Sequence, residues 1–280
     1  GAVSAVIMDD DGNLVAQKGD IDRTVTPGSA LRPIIAAEVL ADGKIGFDSK
    51  VSGNRMICTD GSAEYSFQNW LPEAEGITFE QALRGYSQIG LASAFLDSKC
   101  NLGHTLQTYM EKYGIYAVSG DNSLTGDAAI AAGAMGQNVK ISVRDLAEAY
   151  HSIFSDSAEF SQKHNISQAD VSQLREFLSE GMKKSFQYSA KQCAVLQTGS
   201  KITDSDRFDF DMDMSGAMGS APEYGSGFPR LSSSFVGDVD TAGGKIIIAL
   251  NIINDEKQKT LVNSTDVCYK ANQILTSINH

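Results

Sequence analysis

No apolar run in this chain approaches the roughly 20 residues that a bilayer-spanning helix needs, and no leader with a basic start and an apolar centre opens it. Gly1 leads directly into a strand-like pattern, so the sequence reads as a domain excised from a longer extracytoplasmic protein, its export signal or membrane anchor lying outside these residues. Basic clusters are also missing. With 23 Lys and Arg against 35 Asp and Glu the formal charge is -12, which argues against nucleic acid and anionic membrane surfaces, because phosphate recognition needs grouped cations. Cys58, Cys100, Cys193 and Cys268 form no Cys-x-x-Cys pair, and His104, His151, His164 and His280 lack ligand spacing, so no metal or other cofactor is expected. Four cysteines allow three disulfide patterns; a bridge and buried free thiols both stay open.

What is there begins with 42% hydrophobic residues, ample for a packed core in 280 residues. No internal repeat or interdomain linker interrupts the chain, which reads as a single domain over residues 1–280. The stretch from Thr24 to Pro33 organises it. Pro27 and Gly28 mark a turn, Ser29 follows at an N-cap position, and Ile34, Ile35, Ala37, Val39 and Leu40 give the helix behind it a broad apolar face. Arg32, three residues on, lies on the same side of that helix as Ser29. A serine beside a basic side chain at a helix start is a candidate nucleophile; a simple cap with Arg32 in solvent is the plainer reading.

Taken in order, Ala2 to Met8 and Asn13 to Gln17 form a β-hairpin about the acidic turn Asp9 to Gly12, which lacks the spaced ligands of a calcium loop. Asp42-Gly43-Lys44 stops the Ser29 helix, and the passage from Lys44 to Trp70 reads as irregular and poor in strands. Thr78 with Gln81 is a capping box, Gly85 to Gln88 break that helix, and Ile89 to Leu96 begin another. Helices follow over 105–113, 127–135, 142–154 and from Ser167, whose stripe of Val171, Leu174, Phe177, Leu178 and Met182 is core. Cys193 to Leu196 reads as a buried strand running into a turn at Thr198 and Gly199, and Asp204 to Arg230 as a long loop in which Asp209, Asp211 and Asp213 are solvated. Strands over 231–239 and 245–253 and an amphipathic helix bearing Val267, Ala271, Ile274, Leu275 and Ile278 complete the chain. The fold class is α/β (α+β): a mostly antiparallel sheet shared by the N-terminal hairpin and the C-terminal strands, helices on both faces, and a mainly helical stretch over 30–190.

Thr26-Pro27-Gly28-Ser29-Ala30-Leu31-Arg32-Pro33 resembles Tyr-x-Pro-Gly-Ser-x-x-Lys-Pro, the start of the active-site helix in penicillin-binding protein transpeptidases. The opening hairpin, the lead-in Gly76 to Leu83, the passage Gly136-Gln137-Asn138 before Ser142, and Ser234-Phe235-Val236-Gly237 resemble the same family, over almost the whole length. The resemblance implies a β-lactamase-like fold, cell-wall biogenesis, and a cleft for peptidoglycan stem peptides or β-lactams. In its register the second motif, Ser-x-Asn, falls on Tyr86-Ser87-Gln88, making Ser87 a candidate catalytic residue and Tyr86 and Gln88 binding residues. A rival register reads Ser87-Gln88-Ile89 as the Ser-x-Val of class D β-lactamases, and a third reading gives Ser87 no catalytic part. The third motif, Lys-Thr-Gly-Thr, falls on Gln197-Thr198-Gly199-Ser200.

In that family the serine attacks a D-alanyl-D-alanine carbonyl, the Ser-x-x-Lys amine takes its proton, and the third motif holds the substrate carboxylate. The resemblance places the oxyanion hole at the backbone N–H groups of Ser29 and Ser200. Arg32 stands where that lysine would be, and a guanidinium, with a pKa above about 12 and no lone pair, cannot accept the Ser29 proton. Gln197 likewise removes a charge. Two functions follow: an impaired transpeptidase-like module that binds or scaffolds, with a partner in the envelope, or a slow serine D,D-transpeptidase or β-lactam-acylated sensor that uses Ser29.

Overall fold

A computed structural model describes residues 2–60, 63–68, 75–99, 116–117, 126–137, 139–155, 157–198, 214–223, 230–253, and positions 267, 270, 271 and 274. In chain order its elements are β1 (Ala2–Met8), β2 (Leu14–Lys18), β3 (Thr24–Val25), a 3-10 turn (Gly28–Leu31), α1 (Arg32–Ala41), β4 (Lys50–Ser52), β5 (Arg55–Asp60), β6 (Ala63–Gln68), β7 (Gly76–Thr78), α2 (Phe79–Arg84) and α3 (Gln88–Lys99). There follow β8 (Tyr116–Ala117), α4 (Gly126–Ala134), β9 (Val139–Ser142), α5 (Val143–Phe154), α6 (Ser157–His164), α7 (Gln168–Thr198), β10 (Met214–Glu223), β11 (Arg230–Thr241) and β12 (Gly244–Ile253).

The main sheet runs β10-β11-β12-β1-β2 with every pair antiparallel, so the first and last strands of the chain lie side by side. Side chains alternate across it, as the two-residue period of a strand requires. One face carries Val6, Met8, Ala217, Val236, Ile247 and Ala249 into the core that holds α1 and α5. The other carries Ala5, Met218, Phe235, Ile248 and Leu250, packed with Val267 and Ala271 of the terminal helix. Helix α1 sits inside: from Pro33 to Val39 every residue is buried, Glu38 included. Among the described residues no helix is long and apolar enough to cross a membrane.

Local signals place many elements where the sequence puts them. Asp9 closes the first hairpin by accepting from the backbone of Asp11 and Asn13; the Thr78 and Gln81 capping box is formed; Ser142 and Ser167 cap α5 and α7. Four expectations are corrected. Residues 193–198 are helix, the end of the 31-residue α7, because nothing between Gly181 and Thr198 breaks a helix and a four-residue apolar run has no period of its own. Part of the expected 204–230 loop is strand β10, whose Gly216, Ala217, Gly219 and Ala221 are too small to show an apolar alternation. Residues 50–68 hold three short strands, with Met56 and Cys58 buried between exposed neighbours. Ser29 is not the N-cap: Gly28 turns at φ +57°, Pro27 takes the cap position, and no side chain caps the turn. The helix expected over 105–113, the Asp209 to Asp213 run and the last residues of the chain lie outside the described residues.

The core face also contains charge. Asp238 of β11, 8% exposed, accepts from Tyr150 Oη of α5 at 2.8 Å and from Lys245 Nζ of β12 at 2.8 Å. Removing the carboxylate takes the closest acceptor from both donors, leaving Tyr150 Oη the Met182 sulfur at 3.8 Å and Lys245 Nζ the Asp240 carboxylate at 3.9 Å. Asp238→Ala is expected to cost about 3 kcal/mol, the low end for a broken buried pair because Lys245 is partly exposed. The check is a urea melt with a lowered midpoint and an unchanged slope.

Candidate functional site

Strand β3 pairs with β9 and delivers Thr26 and Pro27, both buried, to the 3-10 turn that carries Ser29. Three glycines stack around that turn. Gly28 N–H donates to Gly136 O at 3.1 Å, a Cβ on Gly136 would lie 1.9 Å from Gly28 O, and a Cβ on Gly219 of β10 would lie 2.0 Å from Ser29 N. The nucleophile candidate is therefore wedged, backbone to backbone, between the end of α4 and the outer edge of the sheet. Only chains without side chains at those points can pass so closely.

From the first turn of α1, Arg32 reaches back over the site. Its guanidinium donates to Ser29 Oγ at 2.8 Å, to Tyr86 O at 2.6 Å and to Gln88 Oε1 at 3.3 Å, and its carbon lies 4.6 Å from the centre of the Tyr86 ring. Tyr86 holds the turn between α2 and α3 at φ +52°, a left-handed conformation rare for an aromatic residue, and its hydroxyl donates to Ser29 O at 3.0 Å. Ser87, 2% exposed, accepts from Gly90 N–H at 3.0 Å at the start of α3. Ser29, Arg32, Tyr86 and Gln88 thus converge, while the bond to Gly90 gives Ser87 a helix-capping part.

Burial pushes the Tyr86 phenol well above its ordinary value of 10.0, against the pull of the Arg32 charge. Unfolded tyrosine ionises near 10.0, so above that pH the folded chain holds a proton that the unfolded chain has lost, and stability falls as pH rises. Tyr86→Phe should remove that slope. It should also cost about 1–2 kcal/mol at neutral pH through the lost bond to Ser29 O; denaturant melts at neutral pH and above pH 10.0 check both.

The third motif does not lie on the strand expected to carry it. Gln197 and Thr198 end helix α7, Gly199 and Ser200 lie outside the described residues, and the strand beside Ser29 is β10. Gly219 and Ser220 are the backbone neighbours of the Gly28 and Ser29 turn, and sequence reasoning missed them. A signal existed: Ser215-Gly216-Ala217 precedes Ser234-Phe235-Val236-Gly237 by a single hairpin, the position of a strand flanking that one. Among the described residues no group of His, Cys, Asp and Glu could hold a metal.

The serine turn on a buried helix is thus set against the edge of a five-stranded antiparallel sheet built from both ends of the chain. The chain covers 99% of its length in similarity to the transpeptidase domain of FtsI4 D,D-transpeptidase from Legionella pneumophila, at 13% identity, 88% of that chain and a TM-score of 0.58. It is similar in the same way to the TP domain of Burkholderia pseudomallei penicillin-binding protein 3, at 13% identity, 99% and 88% coverage and 0.61, and to a peptidoglycan glycosyltransferase from Burkholderia ambifaria, at 15% identity, 99% and 90% coverage and 0.62. No family model matches the sequence, and no curated protein does. At such identities the likeness establishes a shared fold.

Proposed function

We propose that this chain is a transpeptidase-like module of cell-wall biogenesis, acting outside the cytoplasmic membrane, whose cleft binds or scaffolds without turning over substrate. One observation carries the reading. Arg32 donates to Ser29 Oγ, and among the described residues nothing accepts the Ser29 proton. Attack on a carbonyl needs the reverse polarity, a hydroxyl that gives its proton to a base and turns its lone pair to the substrate. A cation that never deprotonates fixes the hydroxyl the wrong way round. Loss of general-base help alone costs roughly 10² to 10⁴ in rate. Strand β10, from Met214 to Glu223, contains no Lys or Arg, so the cation that holds substrate carboxylate in active members is absent from the strand facing Ser29.

The slow-acylation alternative draws on the backbone. The Ser29 N–H lies against Gly219, and two backbone donors, one from Ser29 and one from the Gly219 and Ser220 stretch, would suffice for an oxyanion hole. Intact-protein mass after incubation with a reactive penicillin separates the two. The binding reading expects no adduct; an adduct that Ser29→Ala abolishes would overturn it.

A further inference from the structure

We infer that the chain holds an internal water between Asn251 of β12 and Arg23, behind the Ser29 turn, and that this water fastens the segment leading into the turn to the main sheet. Strand register lays out the site. Ser4 of β1, Asn251 of β12, Ser234 of β11 and Gly219 of β10 are successive cross-strand partners, so they form one row on one face of the sheet. Ser4, Asn251 and Ser234 are each 0% exposed, and Gly219 ends the row against Ser29 N. Polar side chains so placed need partners, and Asn251 finds them on one side only. Its Nδ2 donates to Ser232 Oγ at 2.8 Å, to Ser234 Oγ at 2.9 Å and to Ser233 O at 3.2 Å. That carbonyl fixes the orientation of the amide, since turning it over would set Oδ1 against Ser233 O, acceptor to acceptor. With the nitrogen committed to β11, the oxygen on the far side of Cγ turns toward β1, and it has no hydrogen-bond partner.

On the β1 side the neighbouring hydroxyl is already spent. Ser4 Oγ donates to Asp20 O at 2.7 Å, so its one hydrogen cannot serve Asn251. It accepts from Arg23 Nη2 at 3.3 Å, which brings the guanidinium to the same row, and the buried Arg23 Nε has no partner either. A buried acceptor and a buried donor thus flank Ser4. The occupant must give a hydrogen to Asn251 Oδ1 and take one from Arg23 Nε. A metal cation or an ammonium accepts nothing and meets the Arg23 charge, while chloride or a carboxylate has no hydrogen to give. Water does both. Its second hydrogen suits the remaining lone pair of Ser4 Oγ, which completes the three bonds usual for a buried water. Arg23 directly precedes β3, which delivers Thr26 and Pro27 to the turn, so the bridge ties the approach to Ser29 to the middle of the sheet.

A crystal structure of the whole chain tests the site. The expected result is one density peak within about 2.7–3.2 Å of both Asn251 Oδ1 and Arg23 Nε. A direct bond between those two atoms, a peak that reaches only one of them, or no peak overturns the inference. In solution the Arg23 Nε proton should show a nuclear Overhauser effect to water of the sign that marks a long-lived bound molecule. Asn251→Leu, which keeps the volume and removes the acceptor, should abolish it; an undiminished effect counts against the bridge. The same variant should lower the exchange protection of the β3 amides by about 10-fold, as the loss of a bond to a charged group requires, although Asn251 makes no bond to β3 itself. Protection unchanged there, or lost evenly over the whole chain, overturns the fastening role. The crystal structure of the parent decides the site even if Asn251→Leu does not fold.

Discussion

Gly136→Ala should melt on the order of 10 °C below the parent protein. Gly136 sits at φ +74°, where a Cβ costs about 1–2 kcal/mol by itself. That Cβ would lie 1.9 Å from Gly28 O and 2.4 Å from Gly28 C, and backbone cannot rotate aside as a side chain can. Gly28 has no room to retreat, since it turns at φ +57° with Gly219 and Ser220 behind it. Moving it also breaks the bond from Gly28 N–H to Gly136 O. Strain, overpacking and one lost hydrogen bond together come to about 3–5 kcal/mol. Gly76→Ala is the control, because a Cβ there meets nothing within 4 Å, and its melt should move by less than about 0.5 kcal/mol equivalent. If the two variants melt together, the glycine stack does not hold the Ser29 turn.

Arg32→Lys should raise the rate at which a reactive penicillin acylates Ser29 to at least about 10² above that of the parent. A primary amine can lose its proton where a guanidinium cannot, and partial burial against the Tyr86 ring lowers the cost of the neutral form. Ser29 Oγ already lies within hydrogen-bond reach of the side chain at position 32. The exchange has a structural cost, because an ammonium cannot span Ser29, Tyr86 O and Gln88 as the planar group does, and about 1–2 kcal/mol of stability should go with those bonds. Intact mass over time reads the rate, with Ser29→Ala added to Arg32→Lys to show that the adduct is at Ser29. An unmodified double-checked Arg32→Lys protein would mean that more than the base is missing, the cation-free strand β10 being the first place to look. A second lysine at Gln197 has no place in this experiment, since Gln197 belongs to helix α7.

Much of the site was legible because its determinants are local. Pro27 and Gly28 ahead of Ser29, and Arg32 three residues behind it, fix a turn and a shared helix face over a span that needs no distant partner. The break at Gly85 to Gln88 was equally readable, and the structure brings Tyr86 and Gln88 of that break to Arg32. The strand facing Ser29 was not. Its residues are small because another backbone presses on them, as Gly219 shows against Ser29 and Gly216 against the Phe235 ring. Small residues carry almost no hydrophobic signal, so the letters there resemble a loop. The apolar run at Cys193 to Leu196 erred in the opposite sense, looking like a strand while continuing a helix.

By itself the sequence determined the chemistry that is ruled out: an arginine at position 32 excludes a proton acceptor there in any conformation, since that property belongs to the guanidinium and not to the fold. Only the tertiary structure decided which strand completes the cleft and which way the Ser29 hydroxyl faces. Both depend on approaches between distant segments, Gly219 on Ser29 and Tyr86, 54 residues on, beside Arg32, and close contact between backbones leaves in a sequence little beyond the absence of side chains.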